Sequence, residues 1–322
     1  MKALVYTGIG HLEMQDLPRP GPGFVVKVLG CGVCGTDLKT YLKGHHFFPP
    51  PAVLGHEFYG LVDEAPPGSG YARGDPVVVA PYAECGSCSL CRAEAGCLCR
   101  NKSFVDGGAF CEYVGIPSSY VGTGVFRIPE ADDVFTLVEP LACVLNGFDH
   151  LKLRPGSKAL VVGSGPMGAL FALVFKATGI PVTVVEPGAV RREKVASWGI
   201  DAREPGGIAA GEFDTIIIAV NKKELVSEYV GLVADAGTVL MFSGLGREDV
   251  VAIDSYSVHY REVTLAGSFG YAMRHFRKAL DLVTEHRSEF SRVITHRMPL
   301  EEGAEAFRLL SSGQAFKIIL RP

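Results

Sequence analysis

Apolar positions in the first 138 residues come in short runs cut by Gly and Pro, as in Phe24-Val25-Val26-Lys27-Val28 and Pro76-Val77-Val78-Val79-Ala80. Runs of this length and composition between turn formers predict strands, so this stretch reads as mainly β and rich in loops. After a helix-like segment at 141–150 the pattern changes. A strand over 158–162 is followed by a helix at 167–178, a strand at 182–186, a helix ending at Trp198, and strands at 214–220 and 238–242. Alternation of this kind predicts β-α-β units and a parallel sheet covered by helices on both faces. Beyond Gly267 the periodicity predicts an amphipathic helix at 271–284 and a closing strand at 316–320.

Length and charge narrow the function classes. A chain of 322 residues is expected to divide into two domains. With 31 basic against 35 acidic residues, a net charge of -4, it has no basic excess to hold nucleic acid or an anionic membrane. The longest uncharged stretch, 159–175, is slightly short for a membrane span and is broken by Gly-Ser-Gly-Pro. The first residues meet Thr7-Gly8 before an apolar leader core develops, so no secretory signal and a reducing, cytoplasmic location are expected. There, thiols serve as metal ligands or core residues rather than disulfides. All nine cysteines lie at or before Cys143, which assigns any sulfur chemistry to the amino-terminal half.

Gly163-Ser164-Gly165-Pro166-Met167-Gly168 reads G-x-G-x-x-G between a strand and a helix, and Glu186 ends the next strand 23 residues after Gly163. This context predicts a dinucleotide site. Gly163 permits the tight turn, Gly165 lets backbone approach a pyrophosphate, and Gly168 lets helix lie close on strand. Pro166 and Met167 open the helix whose free N–H groups would face the phosphates. Glu186 would accept both ribose hydroxyls and repel a 2′-phosphate, and no Arg follows it directly, although Arg191 and Arg192 begin the next helix. NAD is therefore expected over NADP.

Cys85-x2-Cys88-x2-Cys91 and Cys99 bring four thiols within fifteen residues, with Cys97 beside them. Four thiolates suit tetrahedral zinc in a closed, structural site. An iron–sulfur cluster is the alternative, and on spacing alone Cys97 can replace Cys99.

Three further segments are ambiguous singly: Cys34-Gly35-Thr36-Asp37, Gly55-His56-Glu57-Phe58-Tyr59-Gly60 and Glu139-Pro140-Leu141-Ala142. In this order, around a cysteine cluster and ahead of a dinucleotide fold, they make the whole chain resemble the zinc-dependent medium-chain alcohol dehydrogenases, most closely the polyol (sorbitol-like) and threonine dehydrogenase branch. The resemblance implies an α/β architecture. A GroES-like, mainly β catalytic domain (1–140, with 268–322 returning to it) would join a Rossmann nucleotide domain (141–267), with Lys317 reaching the cofactor pyrophosphate. It also implies a catalytic zinc on Cys34 and His56, with Glu57 and Glu139 as the carboxylates near it, either being the ligand, and assembly as a homodimer or homotetramer. The activity implied is hydride transfer between NAD and a secondary alcohol such as a polyol, cyclitol, amino-alcohol or sugar derivative.

Two positions depart from the family pattern. Gly35 stands where liver-type relatives carry a phosphate-binding Arg, and Lys39 stands where many carry a relay His. Thr36, two residues after Cys34, is then the expected first proton carrier. Against a zinc-stapled nucleotide-binding protein without activity, or a zinc-independent quinone reductase of the same fold, stands the joint presence of Cys34, His56, Glu57 and Glu139.

Overall fold

The strand Phe24–Gly32 organises the first of two compact units. Its residues Phe24, Val25, Val26 and Val28 are buried, and only Lys27 is exposed, which suits a strand covered on both faces. One edge pairs antiparallel with Glu57–Glu64. The other edge is shared. Phe24 to Lys27 pair with Tyr113–Ile116, while Cys31 and Gly32 pair with Leu320 and Ile319 of the closing strand Lys317–Arg321. The computed structural model describes all 322 residues, and in it the seven-stranded sheet runs Val125–Arg127, Pro76–Val79, Glu57–Glu64, Phe24–Gly32, Lys317–Arg321 and Ile294–Pro299, with Tyr113–Ile116 beside the fourth. Buried Asp133 fastens the carboxy-terminal strands: it accepts from Tyr59 Oη (2.9 Å) and Arg297 Nε (2.6 Å) and pairs with Arg321.

The second unit, Cys143–Gly270, is a six-stranded parallel sheet. Its strands run Asp201–Arg203, Val182–Val185, Ala159–Val162, Thr215–Ile218, Thr238–Met241, Thr264–Gly267, so the first strand in the chain lies third and the order reverses beside it. Ligands in such sheets bind beyond the carboxyl ends of the strands at this reversal, where the Gly-rich loop begins. The helix Pro166–Ala177 is buried along Ala169 to Phe175, each large side chain there contributing about 1.5–3 kcal/mol. The two units thus have the GroES-like and Rossmann architectures.

Local differences from the sequence expectations have physical causes. The helix expected at 141–150 is Val138–Phe148, since Pro140 sits in its first turn, where a missing N–H costs nothing; Glu139 is thereby helical. The first crossing between units falls inside this helix, after Ala142. Residues 268–270 group with the second unit because the Asn146 side-chain amide donates to Ser268 Oγ, Phe269 O and Gly270 O. The helix expected at 271–284 is Met273–Glu285, and Tyr271 instead stacks on Tyr82. Asp201–Arg203 escaped the periodicity because it is three residues long and carries two charges.

Candidate active site and metal centres

Cys34 is the N-cap of the helix Gly35–Lys43, and the third helical residue, Asp37, closes the cap by accepting the Cys34 N–H at 2.9 Å. The same carboxylate accepts the Gly55 N–H at 3.2 Å and lies 3.5 Å from His56 Nδ1. Asp37 is 1% exposed, so one buried acid joins the two segments that supply thiol and imidazole. With Nδ1 turned to a carboxylate, Nε2 is the nitrogen available to a metal. Burial disfavours the His56 imidazolium, but the charges of Asp37 and Cys34 outweigh it and hold the ring well above its usual range.

Ligand atoms of Cys34, His56 and Glu57 lie within 4.8 Å of one another. Glu57 begins its strand opposite Gly32, and the closing strand sets Ile319 against the same Gly32. A Cβ on Gly32 would collide with the Glu57 carboxylate and come within 3.3 Å of Lys317 Cδ, so glycine makes the room in which these side chains meet. Lys317 Nζ donates to Glu57 Oε1 (2.8 Å) and Oε2 (2.6 Å) and to Val33 O (3.4 Å). At 1% exposure this ammonium neutralises a buried carboxylate, a partner the expected pyrophosphate contact did not include. Glu139 lies outside the close donor group, yet its charge interacts with His56, Glu57, Lys317 and Asp37. Burial first, then the Glu57 and Asp37 charges, push its carboxyl up to about 7 against the pull of His56 and Lys317. Thr36 is half-buried in the first helical turn, where its carbonyl accepts from Thr40 Oγ1. The donor set suits a divalent ion: a thiol, an imidazole and acids that outnumber the one buried ammonium.

The second centre is local. Sulfurs of Cys85 and Cys91 are 3.9 Å apart, Cys88 and Cys91 3.4 Å, Cys88 and Cys99 3.8 Å, and Cys85 and Cys99 3.5 Å. A tetrahedral site with Zn–S bonds of about 2.3 Å needs edges of about 3.8 Å. Four thiols converging at this distance fit one ion and leave no room for an iron–sulfur cluster, and Cys97 is outside the group. The lobe is tied to the rest of its unit by Glu84, which accepts the Met273 N–H, and by Arg274, which donates to Glu94 O.

In the nucleotide unit, Gly163 adopts φ +94, and a Cβ on Gly168 would overlap Gly163 O, while a Cβ on Gly165 would meet nothing within 4 Å. The open space above Gly165 and the helix starting at Pro166 fit a pyrophosphate. Glu186 is 7% exposed; its Oε2 accepts Ser164 N (2.9 Å) and Ser164 Oγ (2.8 Å), and its Oε1 accepts Gly188 N (2.9 Å). With three of about four acceptor positions filled, it can serve one ribose hydroxyl rather than the two expected. Arg192 donates to Glu186 O and Pro187 O and pairs with Glu204, and Arg191 is half-buried in the same helix, Ala189–Ala196.

The role of Asp37 is not evident from the motif that contains it. The Cys-x-x-Asp spacing ahead of a helix was its available signal, because that spacing is a capping box.

These sites on these two folds define a zinc-dependent dehydrogenase. Residues 21–130 match the alcohol dehydrogenase GroES-like domain family, and residues 166–285 match the zinc-binding dehydrogenase family. The chain belongs to the zinc-dependent medium-chain alcohol dehydrogenases, on their polyol and threonine dehydrogenase branch. It is 30% identical to sorbitol dehydrogenase of Halalkalibacterium halodurans, covering 100% of this chain and 99% of the relative. It is also 30% identical to L-threonine 3-dehydrogenase of Pyrococcus horikoshii, covering 99% and 98%. Among solved structures, 2R,3R-butanediol dehydrogenase from Bacillus subtilis superposes with TM-score 0.88 at 26% identity, covering 100% of this chain and 99% of that one. A zinc-binding dehydrogenase from Sinorhizobium meliloti 1021 bound to NADP gives 0.88 at 30% identity, with the same coverage. No helix is long and apolar enough to cross a membrane.

Proposed function

We propose that the protein oxidises a secondary alcohol, or reduces the matching ketone, with NAD, using one catalytic and one structural zinc. The observation that carries this reading is the convergence of Cys34, His56 and Glu57 ligand atoms beside the buried carboxyl of Glu139. A zinc ion held there would supply Lewis-acid activation that makes an alcohol hydroxyl more acidic, and a nicotinamide cofactor would supply the hydride exchange. Cys34, His56 and Glu57 would hold the metal, and Glu139 would be the second carboxylate near it. Asp37 keeps the His56 ring in its ligating orientation. Lys317 balances Glu57. The hydroxyl of Thr36 accepts the alcohol proton at its oxygen and gives its own proton to water. Cys85, Cys88, Cys91 and Cys99 hold the structural ion.

The substrate is an alcohol whose neighbouring carbon carries a second hydroxyl or an amino group. Sorbitol, 2,3-butanediol and threonine, named for three relatives, share that feature. NAD is favoured because Glu186 places an anion where a 2′-phosphate would lie, and because Arg192 is already engaged by two carbonyls and Glu204. In NAD binding, Gly163, Gly165, Pro166, Met167 and Gly168 cradle the phosphates. The nucleotide sheet ends on Thr264–Gly267, an edge strand with Leu265 exposed, and pairing of two such edges supports a homodimer or a tetramer of dimers. A screen of polyols, cyclitols and 3-hydroxy amino acids with NAD, read as NADH absorbance on zinc-loaded protein, tests the reading. Turnover of a vicinal diol or amino-alcohol is expected; turnover only of simple ketones or quinones with NADPH would overturn it.

A further inference from the structure

The Gly-rich loop and the acid that ends the next strand are joined by a side chain that the dinucleotide motif leaves unspecified. Ser164 is fully buried, and it gives Glu186 Oε2 two hydrogen bonds, one from its backbone N–H at 2.9 Å and one from its hydroxyl at 2.8 Å. The Gly188 N–H holds Oε1 at 2.9 Å, and a Cβ at 188 would stand only 3.1 Å from that oxygen. One carboxylate oxygen is therefore saturated by a single residue, and the other keeps one acceptor position.

We propose that Ser164 is a positioning residue for cofactor discrimination, its hydroxyl locking Glu186 so that the carboxylate offers one acceptor to an adenosine ribose hydroxyl and stays in the path of a 2′-phosphate. This rests on the NAD reading above. A carboxylate with one anchor fewer can turn about its side-chain torsions, the terminal one being broad and soft, and so swing away from an incoming phosphate. The serine hydroxyl removes that freedom from inside the loop, where it is shut off from solvent. No other cation takes over the selection through Arg192, whose guanidinium is held by Glu186 O, Pro187 O and Glu204.

Calorimetric binding of ADP-ribose and of its 2′-phosphate to the zinc-loaded protein tests the proposal without reference to turnover. The wild type is expected to prefer ADP-ribose, and Ser164→Ala to narrow that preference by about tenfold, in line with loss of a hydrogen bond to a charged group. Ser164→Thr, which keeps the hydroxyl, should retain it. In a Glu186→Ala background, Ser164→Ala should change the ratio less than twofold, because the serine acts through the acid. If Ser164→Ala weakens both ligands equally and leaves the ratio intact, the role is structural and the proposal fails. An equal shift of the ratio with Glu186 already removed also overturns it. A wild type that prefers the 2′-phosphate overturns the NAD reading itself, a result separable from the two others because it appears before any substitution is made.

Discussion

The four-thiol lobe and the Cys34 site both gather metal-ligating side chains in one unit, yet the chain assembles them in opposite ways. The lobe takes all its ligands from 85–99, a stretch whose only regular structure is the four-residue helix Ser89–Arg92 and a three-residue turn of helix, Gly96–Leu98. Nothing in so short a run fixes four thiols unless an ion does, so there metal binding is folding free energy. The Cys34 site draws on a helix cap, on Glu57–Glu64, on the first turn of Val138–Phe148 and on the closing strand Lys317–Arg321. Its side chains are held by a seven-stranded sheet and by hydrogen bonds among residues far apart in the chain. On the proposed two-zinc reading, one region would be organised by its metal and the other for its metal.

The sharpest way to break this contrast is to remove one thiol from each region. Cys91→Ser should lose one zinc and much of the stability of its unit, whereas Cys34→Ser should lose the other zinc and nearly all turnover while melting as the wild type does. Equal loss of fold in both, followed by circular dichroism and elemental analysis, would erase the distinction. Thr36→Val comes next. It keeps the branched shape and removes the hydroxyl, so zinc content should hold while turnover falls about 10²–10⁴-fold; near-normal turnover where a deuterium isotope effect shows hydride transfer to be limiting would send the proton elsewhere.

The dependence of the Cys34 site on buried pairing is sharpened at Lys317. Lys317→Met leaves the Glu57 carboxylate buried without its ammonium, and the protein freed of its catalytic zinc alone should lose about 3–5 kcal/mol in denaturant unfolding. A change below about 1 kcal/mol would mean that water already compensates Glu57. The smallest effect is expected at Asp133. Burial alone would raise its pKa, but hydrogen bonds from Arg321, Arg297 and Tyr59 lower it below the usual carboxylate value. A depressed folded pKa contributes stability above the unfolded value, about 3.9, which is lost as pH falls through the folded one. Asp133→Asn should therefore flatten the acid limb of the stability curve, and only slightly, because both arginines are nearly half exposed. An unchanged acid limb would show that this network does not titrate with unfolding.

The same contrast explains what could be read from the sequence. The lobe was legible because its ligands are close in the chain and share one chemistry; the choices between Cys97 and Cys99 and between one ion and an iron–sulfur cluster needed coordinates. The strands and helices of the nucleotide unit were legible because apolar runs there alternate with helical periodicity, and the turn glycines fall where the backbone requires them. The Cys34 site was legible as residue types and not as contacts. The pairing of Lys317 with Glu57 was not legible, since sequence cannot reveal that Gly32 clears a space in which a lysine from the tail meets that acid. Glu186 looked open to two hydroxyls, since nothing in a G-x-G-x-x-G pattern predicts that its second residue will bind the acid of the next strand. Pair partners that join strands far apart in the chain are set by register, and register is a property of the folded sheet.

The central claim, that one ion serves chemistry and the other serves folding, is tested most directly by titrating the zinc-loaded enzyme with a chelator while following released zinc, turnover and ellipticity together. Two zinc ions per chain should leave in separate steps, the first carrying away turnover with the ellipticity unchanged and the second collapsing the ellipticity. A single step in which zinc, turnover and structure are lost in parallel would contradict it.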